Sequence, residues 1–316
     1  TNAVNCMCEK DPANYEIDCC RRNLMRLIRT KKPKVVLVFG DAPLYSLLGR
    51  RWQKDLGKID KWRGYQIPDI ELDCWLCPMQ HPQKLRNNDE SIDKILWKKD
   101  LKKAVGCLKK PIPQTTTEIE IIHDLSVLDK IKEGIVAIDY ETTGIKPHKK
   151  GHRIVCMSVA DTDSHCYAFL VPENKKEWKP ILRLLTDPNV QKMAHNMKFE
   201  QQWSTTYFKT PVTPWLWDSM QAAHILDNRV GTAGLKFQTY VNFGIVDYDS
   251  KISPYLKSED TKDGNAFNRI HEVLKIPGGV GMLLEYCGKD TIYQRRLALQ
   301  QMQVLKDSPA YALFHD

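Results

Sequence analysis

The sequence predicts a mixed α/β protein in two unequal modules, and three observations carry that prediction. Short, continuous apolar runs of strand length stand at residues 34–40, 134–138, 153–160 and 165–171, as expected for strands buried on both faces. Helical periodicity takes over later, at 178–185, 199–207, 219–227 and 282–305. Strands first and helices mostly after is the order of a layered α/β domain. Between the modules, Lys109-Lys110-Pro111-Ile112-Pro113-Gln114-Thr115-Thr116-Thr117 carries two prolines and three threonines without a helical period, and reads as a linker. The expected organisation is therefore 1–110, a linker at 111–117, and 118–316.

In the first module the run Lys34-Val35-Val36-Leu37-Val38-Phe39-Gly40 ends in glycine and leads into a helical pattern from Pro43 to Leu48, a strand–turn–helix unit. In the second, 134–138, 153–160 and 165–171 are separated by turn residues and precede the four helical stretches. A length of 316 residues leaves room for both modules. The 42% hydrophobic content, with eight Trp, twelve Tyr and eight Phe, excludes a disordered chain. A mean hydropathy of −0.46 and the lack of a long uncharged apolar run exclude a membrane span. No basic segment followed by an apolar stretch opens the chain, so no secretory leader is expected and the location is read as cytoplasmic.

Charge and cysteine divide along the same boundary. Residues 1–110 hold 23 Lys+Arg against 14 Asp+Glu, net +9, which leaves 24 against 25 beyond them. Seven of the ten cysteines, Cys6, Cys8, Cys19, Cys20, Cys74, Cys77 and Cys107, lie in that first third. A basic module suits a polyphosphate partner, since Lys and Arg displace condensed counterions; a solvated charged face is the alternative. Trp52, Trp62, Tyr65, Trp75 and Trp97 interleave with the cations, which suits stacking on unpaired bases, or packing in a core.

The chemistry lies in the second module. Asp139 and Glu141 close the strand through Ile138 and, two residues apart, emerge on one face. Like charges placed so repel unless a cation sits between them, and a hard divalent ion is the usual one. Next, Met193-Ala194-His195-Asn196-Met197-Lys198-Phe199-Glu200 leads into a helix with Asn196 and Glu200 on one face at i, i+4. Then Leu284-Glu285-Tyr286-Cys287-Gly288-Lys289-Asp290 falls within a long helical pattern, and Tyr286 and Asp290 share a face.

These motifs, Asp-x-Glu, Asn-x-Lys-x-acid and Tyr-x-x-x-Asp in that order, together with Trp217-Asp218-Ser219-Met220 and Gly234-Leu235-Lys236, resemble the DEDD 3′–5′ exonucleases of the tyrosine subgroup. The nearest likeness is to the proofreading domain of phage family A DNA polymerases, over roughly 117–316. The resemblance implies a ribonuclease H-like fold with a mixed sheet. It implies two divalent ions, Mg²⁺ or Mn²⁺, held by Asp139, Glu141, Glu200 and Asp290, with Tyr286 orienting the attacking water and Asn196 and Lys198 near the nucleic acid. The substrate implied is DNA, single-stranded 3′ ends above all, in the host cytoplasm if the protein is phage-encoded. The family's second motif usually ends in Asp, and this chain has Glu200, one methylene longer; Asp218 is the fallback acid, better read as structural.

The first module more faintly resembles iron–sulfur uracil-DNA glycosylases. The likeness rests on Cys6 to Leu24 with Asp11-Pro12, Glu16 and Cys20-Arg21-Arg22-Asn23-Leu24, on Pro33 to Gly49, on Trp62-Arg63-Gly64, and on Pro78-Met79-Gln80-His81-Pro82. That family's opening cysteine pair and water-activating loop have no counterpart here, and Gln83 stands where a small hydroxyl residue is usual. A smaller, truncated α/β glycosylase-like domain kept for DNA binding is the expectation. Cys6 or Cys8, Cys19 or Cys20, and the Cys74-x-x-Cys77 pair are candidate ligands of an iron–sulfur cluster or zinc, against the reading as free thiols.

The function expected is a metal-dependent 3′–5′ exodeoxyribonuclease serving proofreading. The closing Tyr311-Ala312-Leu313-Phe314-His315-Asp316 resembles the passage from exonuclease to polymerase, so the polymerase is expected in cis or in trans. The alternative is a catalytically silent module that binds DNA or a polymerase, its exonuclease fold quenched by the change to Glu200.

Overall fold

The computed structural model describes residues 2–4, 11–52, 54–86, 92–258, 260 and 262–315. Cys6 and Cys8, two of the candidate cluster ligands, lie outside the described residues. The chain divides into two compact units. The first is Thr1–Thr115 with Lys236–Asp247, and the second is Thr116–Leu235 with Tyr248–Asp316.

The first unit begins with helix α1 (Asn14–Lys31), whose apolar residues Ile17, Cys20, Leu24, Met25 and Ile28 are buried while arginines occupy the other face. Strand β1 (Val35–Phe39) and helix α2 (Asp41–Leu48) form the strand–turn–helix that the sequence predicts. Gly40 at the turn has φ +83°, a left-handed backbone that glycine adopts freely. The short helix α3 (Ile59–Trp62), strands β2 (Ile67–Asp69) and β3 (Cys74–Met79), and helix α4 (Ile92–Gly106) follow. The sheet runs β1-β3-β2, with β3 parallel to β1 and antiparallel to β2.

Into this core comes a later segment. The helix Leu235–Phe243 buries Phe237, Tyr240 and Val241 among Leu44, Leu48, Trp52 and Trp62. Phe237 lies 5.0 Å from Trp62 and Tyr240 stacks on Trp52 at 5.6 Å between ring centroids. Burying each such ring is worth about 1.5–3 kcal/mol. Sequence order places these residues in the second module; aromatic packing groups them with the first.

The same unit corrects the reading of Cys74 and Cys77 as a converging ligand pair. Both lie on β3, three residues apart, so their side chains leave on opposite faces. Cys74 packs with Trp62 and Phe237, whereas Cys77 packs with Trp75, Ala104 and Cys107. Burial pushes the Cys74 thiol up to about 12. Cys20 is buried and Cys19 exposed.

The second unit is built on a six-stranded mixed sheet: β4 (Glu118–Ile121), β5 (Gly134–Thr142), β6 (Ile154–Ala160), β7 (His165–Leu170), β8 (Val190–Ala194) and β9 (Trp215–Asp218), in the order β4-β7-β6-β5-β8-β9. Strands β5, β6 and β7 pair antiparallel, while β4 is parallel to β7 and β8 runs parallel to both β5 and β9. Helices α5 (Lys179–Thr186), α6 (Met197–Trp203) and α7 (Ser219–Leu226) alternate with β8 and β9; the helix already placed with the first unit is α8. After α9 (Ser253–Leu256) and α10 (Ile270–Val273), helix α11 runs 27 residues, Gly279–Leu305, and α12 (Ala310–His315) follows.

Two contacts fix α11 across the sheet centre. Gln294 Nε2 donates to the Ile138 carbonyl of β5 at 2.6 Å. Gly288 lets the helix approach, because a Cβ there would stand 2.8 Å from both Cys166 Sγ and Ile119 Cγ2. This mixed α/β architecture is the one expected. Among the described residues, no helix is long and apolar enough to cross a membrane.

Candidate active site

The side chains of Asp139 and Glu141 leave β5 on the face opposite Tyr140, which is buried and bonded through its hydroxyl to Ser204 Oγ at 2.7 Å. The β5–β6 register shifts between Glu141 and Thr142, so the ladder is irregular where the second acid emerges. Asp139 and Glu141 are half-buried. With Cys287 of α11 they form a group whose ligand atoms all lie within 4.8 Å of one another, the sole such group of three found among the described residues.

Cys287 is held in place. Its sulfur lies 3.7 Å from Asp139 Oδ2 and 3.0 Å from Ser158 Oγ, and burial, with Cys156 and the two acids nearby, pushes its thiol well up. A neutral thiol is a poor partner for a hard ion, so the oxygens of this set are the donors that suit Mg²⁺ or Mn²⁺.

Glu200 enters from α6. It is 2% exposed and its Oε2 has no hydrogen-bond partner among the described residues. Burial first, then the charges of Asp139 and Asp218, push its carboxyl well above the usual range. A buried acid facing another acid is costly without a cation. This orphaned oxygen is the feature that fits a metal site.

The helix α6 is aimed by Asp218. Asn196, its N-cap, has φ +78°, a left-handed conformation that Asn tolerates better than most residues. Asp218 Oδ1 accepts from Asn196 N at 3.0 Å and Oδ2 from Met197 N at 3.0 Å, while Oδ1 also accepts from Met220 N and Gln221 N at the start of α7. Four backbone donors saturate this carboxylate, which makes Asp218 a brace. Lys198, in the first turn of α6, is exposed and makes no polar contact among the described residues.

Tyr286 and Asp290 lie one turn apart on α11. Burial, then the charges of Asp290 and Glu141, hold the Tyr286 phenol well above its ordinary value, so it stays protonated at neutral pH. Asp290 is buried and accepts from the Tyr248 hydroxyl at 2.5 Å. Tyr248 and Cys287 are neighbours of the site that the motifs did not announce. Tyr248 lies in a polar stretch with no periodicity, and Cys287 reads as an ordinary core residue within the helical pattern. Beside Glu141 a cavity of about 480 Å³ opens, lined by Phe199, Ile145, Lys257 and Asn268 among others.

The model of the 3′–5′ exonuclease family, DNA_pol_A_exo1, matches residues 113–305. The chain belongs to this family. Exonuclease domains of its superfamily use two divalent metal ions, and Asp139 and Glu141, the acids that the structure brings within 4.8 Å of each other, form a candidate acidic metal site. No curated protein sequence matches the chain. Among solved structures, Brucella melitensis NrnC with bound Mg²⁺ is similar at 20% identity over 64% of this chain and 89% of that one, with a TM-score of 0.45. Escherichia coli RNase D, an exoribonuclease involved in structured RNA processing, is similar at 15% identity over 58% and 51%, with a TM-score of 0.34. The polymerase domain of Pol1 from M. smegmatis, in complex with DNA primer-template and dNTP, is similar at 10% identity over 62% and 29%, with a TM-score of 0.42.

Proposed function

We propose that the chain removes nucleotides from DNA 3′ ends as a two-metal 3′–5′ exodeoxyribonuclease, and that it proofreads for a phage DNA polymerase, in cis or in trans. One observation supports the reading above the others: Glu200 is buried, its Oε2 has no hydrogen-bond partner among the described residues, and the charge of Asp139 acts on it. Asp139, Glu141, Glu200 and Asp290 would hold the ions. Such ions, when bound, acidify a water and neutralise charge on the leaving oxygen.

The chain's own residues do the rest. Tyr286, kept protonated, donates a hydrogen bond to the oxygen of the attacking water and orients it, with no role as a base. Lys198, with no carboxylate partner among the described residues, is free to meet a phosphate. Asn196 offers its amide at the same helix start. Asp218 braces this helix start through the amides of Asn196 and Met197.

The first unit is proposed as a degenerate glycosylase-like fold that binds DNA and does not excise bases. His81 supports this, since its Nδ1 accepts from Gln83 N at 3.3 Å and caps a short helical turn, Pro82–Leu85. One contact favours the silent alternative for the second unit, the Tyr248 hydroxyl bound to Asp290.

The deciding experiment incubates 5′-labelled DNA and RNA strands with Mg²⁺ or Mn²⁺. Stepwise shortening from the 3′ end, abolished by EDTA and by Asp139→Asn, is expected, with DNA the better substrate. Absence of shortening would support the silent module, and preference for RNA would overturn the proofreading role.

A further inference from the structure

The first unit carries a cleft of about 610 Å³ along α1, lined by Arg21, Arg22, Arg26, Arg29 and Arg50 against a single lining carboxylate, Asp18. Asp18 is already committed, since Arg50 grips it through Nη2 at 2.6 Å and Nε at 3.2 Å. Arg29 reaches Glu71 at 2.7 Å, and Arg21 donates from Nε to the Ser46 carbonyl at 2.7 Å. Arg22 makes no hydrogen bond or ion pair among the described residues, and Arg26 has only the Asn23 side chain at 3.4 Å. Both are exposed. Burial first, then the nearby Arg51 and Arg50, lower the affinity of Arg21 for its proton.

A solvated helix face usually intersperses acids with bases. This one does not: after Asp18 every charge on α1, from Arg21 to Lys31, is positive. From Arg22 to Arg29 the row spans about 10 Å at 1.5 Å per residue, longer than one phosphate group and suited to successive phosphates on a chain. The lining offers no aromatic ring, and its one apolar residue, Met25, is 6% exposed. The cleft can therefore position a backbone, but it has no platform for a base and no apolar prong for a lipid.

We propose that the arginine cleft of α1 is a second nucleic-acid site, which grips the phosphodiester backbone of a strand without reading its sequence. It is separate from the acids of the second unit, and rests on the nuclease reading only for the identity of the polymer. Arg22 and Arg26 supply charge that meets no carboxylate among the described residues, while Asp18, Glu71 and the Ser46 carbonyl hold Arg50, Arg29 and Arg21 in place around them.

The test uses the full chain in EDTA, so that no hydrolysis is read, with fluorescein-labelled oligothymidylate followed by anisotropy. Arg22→Glu with Arg26→Glu is expected to weaken binding roughly tenfold or more at about 50 mM salt. The slope of log affinity against log salt should fall by about 1.4, two contacts at about 0.7 each for a single strand. Arg22→Lys with Arg26→Lys should keep most of the slope, and unchanged thermal midpoints exclude misfolding, since both side chains are exposed. Unaltered affinity and slope in the double Glu variant would overturn the proposal. So would displacement of the strand by tripolyphosphate at equal phosphate concentration, which marks a small-anion site, or capture by vesicles of phosphatidylserine that exceeds strand binding. A chain lacking exonuclease activity leaves these outcomes intact, because the assay reads binding alone.

Discussion

Asp69 and Glu200 are equally hidden from water, at 3% and 2% exposure, one in each unit, yet they are provided for in opposite ways. Asp69 has Arg51 Nε at 2.8 Å and the Leu72 amide at 3.0 Å. Each acid has one oxygen without a hydrogen-bond partner, but Glu200 has no cation beside it among the described residues, only Asp139 and Asp218 as charged neighbours. A carboxylate with its counter-charge in the fold is a structural element; one that lacks it has a place kept for something the chain does not supply. The strand ends repeat the contrast. At the end of β3, the Gln80 amide is bonded to Asp60, its carbonyl accepts from Trp97 Nε1 at 3.0 Å, and His81 caps a turn. At the end of β5, Asp139 and Glu141 face each other across a few ångströms.

The widest separation of the two ends is in catalysis. Asp139→Ala should cost several kcal/mol of transition-state stabilisation, about 10³-fold in kcat/KM, measured on a labelled single strand. His81→Ala, at the matching position of the other sheet, should change that rate by less than about twofold and should leave uracil release absent in both proteins.

Glu200→Gln should move activity and stability in opposite directions. Activity should fall about 10²-fold. The metal-free protein should become more stable by about 1–2 kcal/mol, because folding no longer suppresses the ionisation that a glutamate keeps in the unfolded chain, seen as a raised urea midpoint in EDTA. The stabilisation that Mg²⁺ confers on the wild type should shrink in the variant. A Gln variant that is both less stable and fully active would remove the distinction drawn between Glu200 and Asp69.

Asp69→Asn supplies the complement. It leaves Arg51 without its buried partner, so a loss of about 2 kcal/mol is expected, with the exonuclease rate per folded molecule unchanged. Arg51 keeps Glu71 at 3.1 Å, which is why the loss should fall short of that for a wholly stranded charge.

How far all this was legible follows from the same physics. Strands β5, β6 and β7 stand out as apolar runs, whereas Asp139, Glu141, Asn196, Glu200, Tyr286 and Asp290 are singled out by the resemblance of their motifs to a family. Strand β8 carries Lys192 in its middle and β9 spans four residues, too short or too mixed for periodicity to mark. Tyr248 was invisible because its partner, Asp290, is 42 residues away. The helix α8 could not be assigned to the first unit, since aromatic content says that a helix will be buried without saying where. The saturation of Asp218 by four amides is likewise a property of folded loops.

Lys192 yields the smallest effect. It is fully buried, and its ammonium donates to the Asp187 carbonyl at 2.8 Å and the Thr213 carbonyl at 2.7 Å. Burial pulls its pKa down from 10.5 to about 8, with Asp187 opposing the shift. The unfolded chain holds this proton to a higher pH than the folded one, so between about pH 8 and 10.5 folding releases a proton and this residue's contribution to stability rises with pH. Lys192 thus behaves as a partly uncompensated buried cation, the counterpart of Glu200 in sign. Urea midpoints measured in EDTA at about pH 8.5 and 9.5 should show the wild type gaining about 1 kcal/mol relative to Lys192→Met. A difference that stays flat across that interval, or falls, would mean that the two carbonyls compensate the charge fully, as Arg51 does for Asp69.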